Sequence, residues 1–212
     1  MTTIVVVRKN GFAAIAADTL TTFGNTRLTP NNDASYDKIL QHGDSFVGLC
    51  GSAAHHLVLA SVMRRFADLK FTSKEDIFES FRRLHPILKE EHFLNPKEDE
   101  DDPYESSHMT ALIANPNGIY AVYSMREVFE YNRFWAIGSG ADFALGALHQ
   151  AYSRYDNPAD IARAGIETGC EFDKSSGLPM TLYTVRLKDE SYTQWRLFQS
   201  SLEQLERARA PE

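Results

Sequence analysis

The chain has 212 residues, of which 43% are hydrophobic and 24% charged, and its formal net charge is −7. This length and composition predict one globular domain, and the acidic balance argues against a nucleic-acid-binding surface. Since no apolar run is long enough to span a bilayer or form a signal peptide, we expect a cytoplasmic protein that does not bind membranes. Cys50 and Cys170 lie far apart, which indicates reduced thiols rather than a disulfide framework or a zinc site.

Strands are predicted for the first fifty residues. Residues 3–8 and 12–18 flank Asn10-Gly11, the dipeptide most typical of a two-residue hairpin turn. The hairpin is therefore the most specific local prediction that the sequence supports. Three shorter strands are expected after it, over residues 25–28, 38–41 and 45–50.

Two helices are predicted next. The first spans residues 53–69 and ends in a charged turn. The second begins after Ser73, which forms a capping-box pattern with Asp76 and precedes apolar residues at helical spacing. Because proline lacks the backbone N–H and clashes with the preceding turn, Pro86 predicts a kink or a break within this helix.

An acidic segment, NPKEDEDDPYESS, follows over residues 95–107. It lacks aliphatic residues and contains two prolines, so a solvated loop is the expected structure. A calcium site is the alternative, but the segment lacks the glycine and the ligand spacing of an EF-hand loop.

Strands return in the second half of the chain, at residues 109–114, 119–124, 128–131, 134–137 and 182–187, with a further candidate at 195–198. Helices are expected from Gly138-Ser-Gly140 to about residue 155 and over residues 158–170. Strands and helix pairs thus alternate in blocks, which predicts an α+β fold, a four-layer αββα sandwich with two antiparallel sheets between helix pairs. We assign residues 1–199 to this domain and residues 200–212 to a charged C-terminal tail.

The first residues suggest a chemical use for the N-terminus. The apolar run begins at Ile4, so Thr2 must be held in the body of the fold. Once Met1 is removed, Thr2 carries both a hydroxyl nucleophile and an α-amine that can serve as its base. The amine must be kept neutral by a nearby cation, which a carboxylate holds charged. Lys38 and Asp18 are the candidates for these two roles.

Two turns of small residues could stabilise an oxyanion. Gly51, between a predicted strand and a predicted helix, would let a substrate backbone approach its N–H closely. The Gly138-Ser-Gly140 turn has the same composition, although phosphate binding or plain loop geometry would explain it equally well.

The chain resembles proteasome β-type subunits and bacterial HslV, which are N-terminal nucleophile hydrolases. The resemblance rests on the N-terminal hairpin TTIVVVRKNGFAAIAADT and on short motifs in the family's order, namely Gly24-Asn25, Lys38-Ile39, LCGSAA (residues 49–54), AIGSG (residues 136–140), DKSSG (residues 173–177) and Leu182-Tyr183-x-Val185. A few extra residues precede Lys38, and the acidic segment and the tail fit neither relative. These departures make the chain similar to the betaproteobacterial proteasome homologues.

The resemblance implies a role for each matching residue. Thr2 would be nucleophile and base, Lys38 and Asp18 would tune its amine, and the Gly51 N–H would bind the oxyanion. Three further catalytic-site residues would support the terminal amine and a relay water, namely Ser139, Asp173 and Ser176. Substrate contacts are expected from Thr21, Thr22, Leu49, Ala53 and Leu57, and no cofactor or metal is implied.

The implied function is a threonine endopeptidase enclosed in stacked rings of six or seven copies of the chain, with seven favoured by the DKSSG motif. An ATP-dependent unfoldase and unfolded polypeptides would be its partner and substrates. Two alternatives remain at this point. One is a ring-forming homologue with little or no peptidase activity, and the other is an amidase that acts on small amides through the same N-terminal chemistry.

Overall fold

A computed structural model describes residues 2–96 and 102–188. In chain order its strands are β1 (Thr3–Lys9), β2 (Phe12–Asp18), β3 (Thr21–Phe23), β4 (Thr26–Leu28), β5 (Ile39–His42), β6 (Ser45–Cys50), β7 (Thr110–Asn115), β8 (Gly118–Val122), β9 (Val128–Tyr131), β10 (Phe134–Gly138) and β11 (Met180–Arg186). Its helices are α1 (Ala53–Arg65), α2 (Lys74–Glu90), α3 (Ala141–Tyr152) and α4 (Pro158–Phe172). None of these helices is long and apolar enough to cross a membrane.

Two antiparallel sheets form the centre of the domain. One has the strand order β10-β1-β2-β11 and the other the order β5-β6-β7-β8-β9, while β3 and β4 form a separate two-stranded ribbon. The predicted hairpin joins β1 to β2. Asn10 and Gly11 both have positive φ, 50° and 78°, which is the conformation that a two-residue hairpin turn needs.

Three layers of buried side chains hold the sheets and helices together. One lies between the five-stranded sheet and α1 with α2, and includes Leu59, Ile77 and Leu84. A second lies between the two sheets, and a third packs α3 and α4 on the four-stranded sheet. The order helices, sheet, sheet, helices confirms the predicted αββα sandwich.

Helix ends differ from the sequence predictions. The first helix ends at Arg65 rather than at residue 69, because Phe66 leaves the helical region with φ −115° and ψ 73°. Of the kink or break expected at Pro86, the break is wrong, since α2 continues through this residue to Glu90. Pro86 lies on the exposed face, so the Arg82 carbonyl that lacks its helical donor can reach water, while buried Phe81 and Leu88 keep the helix packed.

The described part of the acidic segment has no regular secondary structure, as expected. It is attached to α2 through Glu105, which accepts hydrogen bonds from His85 and Lys89. These two bonds lower the pKa of Glu105 below its usual range, that from Lys89 contributing most. The strand expected at residues 195–198, the domain end at residue 199 and the tail at residues 200–212 lie outside the described residues.

Candidate active site

The site forms where the first residues of the chain meet the ends of β2 and β10. The hairpin register pairs Ile4 with Ala17, which brings Thr2 and Thr3 beside Asp18 at the end of β2. On the other side, β1 pairs with β10 so that Thr3 lies opposite Gly138. Antiparallel pairing therefore brings three distant parts of the sequence to one edge of the four-stranded sheet.

Asp18 is completely buried and surrounded by hydrogen-bond donors. Its Oδ1 accepts from the Thr2 hydroxyl, from the Thr3 N–H at 3.0 Å and from the Lys38 ammonium at 2.8 Å. Its Oδ2 accepts from the backbone N–H groups of Leu20, at 3.1 Å, and Gly177, at 3.0 Å. A carboxylate, which accepts hydrogen bonds and donates none, suits these surroundings at both oxygens.

Lys38 lies directly before β5 and reaches across to the other sheet. Its Nζ lies 2.8 Å from Thr2 Oγ1, 2.8 Å from Asp18 Oδ1 and 2.7 Å from the Leu20 carbonyl oxygen. An ammonium has three N–H donors, and each of them has an acceptor here. Only 15% of the side chain is exposed, so the salt bridge to Asp18 is shielded from solvent.

Thr2 therefore places its hydroxyl between a carboxylate and an ammonium. The residue is 4% exposed, and its Oγ1 contacts both charged groups. Such an environment favours a hydroxyl that can give up its proton and then bear negative charge next to the cation. This contact between Thr2 and Lys38 is the one on which the sequence-based mechanism depends.

A second polar cluster lies beside Thr2 and Thr3. Asp173 Oδ2 accepts hydrogen bonds from Ser139 Oγ at 2.6 Å and from Ser176 Oγ at 2.7 Å. Ser139 Oγ also lies 3.4 Å from the Thr2 carbonyl oxygen, and Ser176 Oγ lies 2.7 Å from Thr3 Oγ1. The three residues predicted to support the terminal residue are thus connected to one another and to residues 2 and 3.

Two opposing effects act on the pKa of Asp173. Burial raises this pKa, but hydrogen bonds from Ser139, from Ser176 and from the Ser175 N–H outweigh burial and lower it below its ordinary range. Asp173 is therefore a carboxylate at neutral pH and accepts from both serines. The hydrogens of the two hydroxyls are consequently directed towards Asp173.

Gly138 and Gly51 both have backbone conformations that favour glycine, with φ of 98° and 142°. The two residues line the same cavity, of about 460 Å³, together with Cys50. A Cβ on Gly51 would lie 2.8 Å from His55 Nδ1 and 3.2 Å from the His108 carbonyl oxygen, so this turn has no room for a side chain. The predicted oxyanion turn is therefore close to the Gly138 side of Thr2.

Gly138→Ala should displace Thr2. The new Cβ would lie 2.0 Å from the Thr2 carbonyl oxygen, which is backbone and cannot rotate away, and the positive φ adds strain. We expect the free energy of unfolding to fall by about 2–4 kcal/mol, measured by thermal denaturation at fixed protein concentration. Gly146→Ala is the control, because no atom lies within 4 Å of its Cβ position in α3 and it should be neutral or stabilising. Equal stability of the two variants would contradict the prediction.

The residues expected to contact substrate are spread over three elements. Thr21 and Thr22 are half-buried on β3, and Ala53 is exposed at the start of α1. Leu57 is 72% exposed and lines a groove of about 780 Å³ between α1 and the edge strand β5. Leu49 is instead buried in the core beneath α1 and α2. Substrate contact by these five residues stays a prediction.

Several groups at the site carry no signal in the sequence. The N–H groups of Thr3, Leu20 and Gly177 bind Asp18, and the Leu20 carbonyl binds Lys38. Any residue type can supply a backbone donor or acceptor, so only the fold identifies these groups. Gly177 belongs to the DKSSG motif, which was the available signal for its loop.

The two cysteines are free thiols, as predicted. Burial raises the pKa of Cys50 to about 12 and that of Cys170 to about 12. Cys50 lines the cavity beside Gly51, but a thiol that stays protonated at neutral pH is a weak nucleophile. Cys50 therefore does not compete with the Thr2 hydroxyl as a nucleophile.

Comparisons with known proteins bear on the family and the fold of this chain. A family model described as "Proteasome subunit" matches residues 1–185. The chain is 28% identical over 174 residues to the ATP-dependent protease subunit HslV of Brevibacillus brevis, which covers 80% of this chain and 88% of the relative. Eukaryotic HslV from Trypanosoma brucei, at 17% identity, shares the fold with a TM-score of 0.65 over 87% of this chain and 99% of that chain.

A solved bacterial protein is more similar. Thiobacillus denitrificans BPH has a TM-score of 0.81 and 40% identity over 88% of this chain and 98% of that chain. A second structure shows BPH in complex with epoxomicin, with a TM-score of 0.80 and 39% identity over 88% of this chain and 99% of that chain.

The αββα sandwich, with a threonine hydroxyl held between Asp18 and Lys38, defines the class of N-terminal nucleophile hydrolases of the HslV and proteasome β type. Within that class, the chain belongs to the proteasome subunit family. The resemblance predicted from its motifs is thereby confirmed.

Proposed function

We propose that this protein is a threonine endopeptidase that cleaves peptide bonds with Thr2 as its nucleophile, after Met1 has been removed. The observation that carries the proposal is the position of Thr2 Oγ1, which contacts the Asp18 carboxylate and lies 2.8 Å from the Lys38 ammonium. The salt bridge between these two residues is shielded from solvent, since the Lys38 side chain is 15% exposed and Asp18 is fully buried.

In the proposed mechanism the free α-amine of Thr2 is the general base. It takes the hydroxyl proton as Oγ1 bonds to the carbonyl carbon of the substrate, and the carbonyl oxygen becomes an oxyanion that the Gly51 N–H stabilises. The amine then gives this proton to the leaving nitrogen, which leaves an ester on Thr2. Water, deprotonated by the same amine, hydrolyses the ester, releases the acid and restores the hydroxyl.

Lys38 acts in this mechanism as a fixed positive charge. Three acceptors surround its Nζ and hold the ammonium in one position. A positive charge close to the Thr2 amine favours the neutral form of the amine, which is the form able to accept a proton. The same charge stabilises Oγ1 as its proton leaves.

Ser139, Asp173 and Ser176 would hold the amine side of Thr2 and a relay water. Asp173 is a carboxylate linked to both serines, and Ser139 reaches the Thr2 carbonyl oxygen. The hydrogen bond between Ser176 and the Thr3 hydroxyl restricts the chain beside residue 2 and so helps to keep the amine and hydroxyl of Thr2 in one orientation. Preorganisation of this kind lowers the cost of reaching the transition state.

The finer parts of the function are proposed on the strength of the relatives. The Brevibacillus brevis relative is named an ATP-dependent protease subunit, which supports an ATP-dependent unfoldase as partner and unfolded polypeptide as substrate. We propose stacked rings of this chain, with seven copies in each ring, in the cytoplasm. Enclosure of Thr2 inside such a ring would restrict cleavage to chains that can be threaded through an entrance.

Labelling by epoxomicin tests the proposal directly, since this compound binds the Thiobacillus denitrificans relative. We expect the intact mass of the purified protein to show loss of Met1 and then addition of one epoxomicin per chain, on Thr2 by peptide mapping. We also expect hydrolysis of fluorogenic peptides to stop when labelling is complete. Particle mass measured on the same sample would count the copies in each assembly.

The matched control is a variant with glutamate inserted between Met1 and Thr2. A large residue in second place prevents methionine removal, so this variant keeps the Thr2 hydroxyl but has an amide in place of the amine. It should be neither labelled nor active. Full activity in the insertion variant would refute the amine as base, and an inert wild-type protein with free Thr2 would refute the peptidase.

A further inference from the structure

Lys38 lies at the end of a long irregular segment. Residues 29–38, between β4 and β5, contain no strand or helix, and β5 begins only at Ile39. The Lys38 carbonyl accepts from the Leu49 N–H at 3.3 Å, which connects the residue to the five-stranded sheet. Asp18, however, belongs to the four-stranded sheet. The salt bridge of the site therefore spans two sheets and starts from a segment with little regular support.

The residue before Lys38 links this segment to the other sheet. Asp37 Oδ1 accepts from Thr181 Oγ1 at 3.0 Å, and Asp37 Oδ2 accepts from the Tyr183 hydroxyl. Asp37 Oδ1 also accepts from the Ile39 N–H at 2.9 Å, which closes a local turn around Lys38. One carboxylate thus binds two side chains of β11 and the first residue of β5.

The position of β11 makes this link relevant to catalysis. Strand β11 pairs with β2, and its register places Met180 opposite Asp18 and Thr181 opposite Ala17. A bond from Asp37 to Thr181 therefore connects the lysine segment to the strand next to Asp18, about one residue from the carboxylate. The backbone of Lys38 is held relative to the same strands that hold its partner.

Packing fixes the position of the Tyr183 side chain that binds Asp37. Its ring stacks on Phe46 of β6, with the ring centroids 4.8 Å apart, so the tyrosine is packed between the two sheets. The hydrogen bond to Asp37, followed by burial, raises the pKa of Tyr183 to about 12. The hydroxyl therefore remains a donor to Asp37 throughout the pH range in which a protease of this type would work.

We infer that Asp37 is a positioning residue, which holds Lys38 within contact of Thr2 and Asp18 by binding Thr181 and Tyr183 on β11. The inference rests on the proposed function of Thr2 and adds a residue to it that does not itself touch the reacting atoms. Thr181 and Tyr183 share one face of β11, since they are two residues apart in a strand, so a single carboxylate can bind both.

Asp37→Ala and Tyr183→Phe test the inference. Loss of both bonds in Asp37→Ala should lower kcat for peptide hydrolysis roughly 10- to 100-fold, because an error of about 1 Å in a catalytic group has an effect of this size. KM should change little. Tyr183→Phe keeps the stacking on Phe46 and removes one donor to Asp37, so we expect kcat to fall less than in Asp37→Ala. In the double variant, with both Asp37→Ala and Tyr183→Phe, the two reductions in kcat should not multiply, because both substitutions break the same hydrogen bond.

Asp33→Ala is the matched control. Asp33 lies in the same irregular segment, but its carboxylate accepts only from the nearby Ser35 N–H among the bonds described, at 2.9 Å. This variant should keep the wild-type kcat. An equal fall in kcat in Asp33→Ala and Asp37→Ala would show that any substitution in this segment impairs hydrolysis. It would overturn a specific role for Asp37.

The pH profile provides a readout that general destabilisation would not move. If Lys38 moves away from Thr2, the amine loses the neighbouring charge and its pKa rises, so the acidic limb of kcat/KM shifts to higher pH in Asp37→Ala. A wild-type profile and kcat in this variant would overturn the inference. Tyr183→Phe and Thr181→Val supply the same comparison if Asp37→Ala does not fold.

A structure of the Asp37→Ala protein separates this inference from the proposed function. Lys38 Nζ, which lies 2.8 Å from Thr2 Oγ1, should then lie beyond hydrogen-bond distance. An unmoved Lys38 would overturn the positioning role even in a protein that hydrolyses peptides. A displaced Lys38 in a protein whose wild type is inactive would support positioning and refute the peptidase.

Discussion

Thr2→Ala should abolish peptide hydrolysis and leave the assembly unchanged. The substitution removes the hydroxyl that lies between Asp18 and Lys38, whereas the salt bridge between these two residues and the backbone bonds to Asp18 remain. Loss of a nucleophile that acts as one unit with its base lowers kcat by about 10⁴-fold or more. Steady-state hydrolysis of fluorogenic peptides, with particle mass measured on the same preparation, checks both parts of the expectation.

Thr2→Ser is the matched control for this variant. Serine keeps a hydroxyl and, once Met1 is removed, an α-amine, so hydrolysis should remain measurable in Thr2→Ser and absent in Thr2→Ala. Epoxomicin should label the serine variant and not the alanine variant. Hydrolysis by Thr2→Ala at the wild-type rate would mean that another residue carries the reaction, and the proposed mechanism would be wrong.

Asp18→Asn should both inactivate and destabilise the protein. Donors approach each oxygen of Asp18, from Thr2, Thr3 and Lys38 on one side and from Leu20 and Gly177 on the other. An asparagine would therefore have to turn its own N–H₂ group towards donors whichever way it is oriented. It would also leave the Lys38 ammonium, on a side chain that is only 15% exposed, without its counter-charge.

Loss of one partner of a buried ion pair lowers the free energy of unfolding by about 3–5 kcal/mol, and we expect Asp18→Asn to fall in that range. Thermal denaturation at fixed protein concentration measures the change. Asp156→Asn is the control, since Asp156 also pairs with a lysine, Lys9, but its side chain is 95% exposed, and its loss should change stability little. An Asp18→Asn protein as stable and active as the wild type would show that the carboxylate is dispensable.

Local sequence was sufficient for the strands nearest the site. The strands at residues 12–18 and 45–50 have the predicted bounds, because turn residues mark their ends and their apolar runs are short. Helix ends were less predictable. The first helix ends earlier than its pattern suggests, and α2 passes through Pro86, because packing of one face against the sheet outweighs a local preference.

Some residues of the candidate site could likewise be identified from the sequence, and others could not. Thr2, Asp18 and Lys38 could be named from the sequence, because the chemistry of an N-terminal nucleophile demands these residue types and the hairpin places two of them together. Asp37 could not, because an aspartate in an irregular segment looks like any surface turn residue. Its partners on β11 are 144 and 146 residues away in the chain.

The sequence by itself determined the strands of the hairpin, the block order of strands and helices, and the kinds of chemical group available at the N-terminus. These features depend on neighbours in the chain, through turn residues and hydrophobic periodicity. Only the tertiary structure decided that five donors converge on Asp18 and that all three donors of Lys38 have acceptors. Burial and cross-strand register set these contacts, and both arise when segments far apart in the sequence pack against one another.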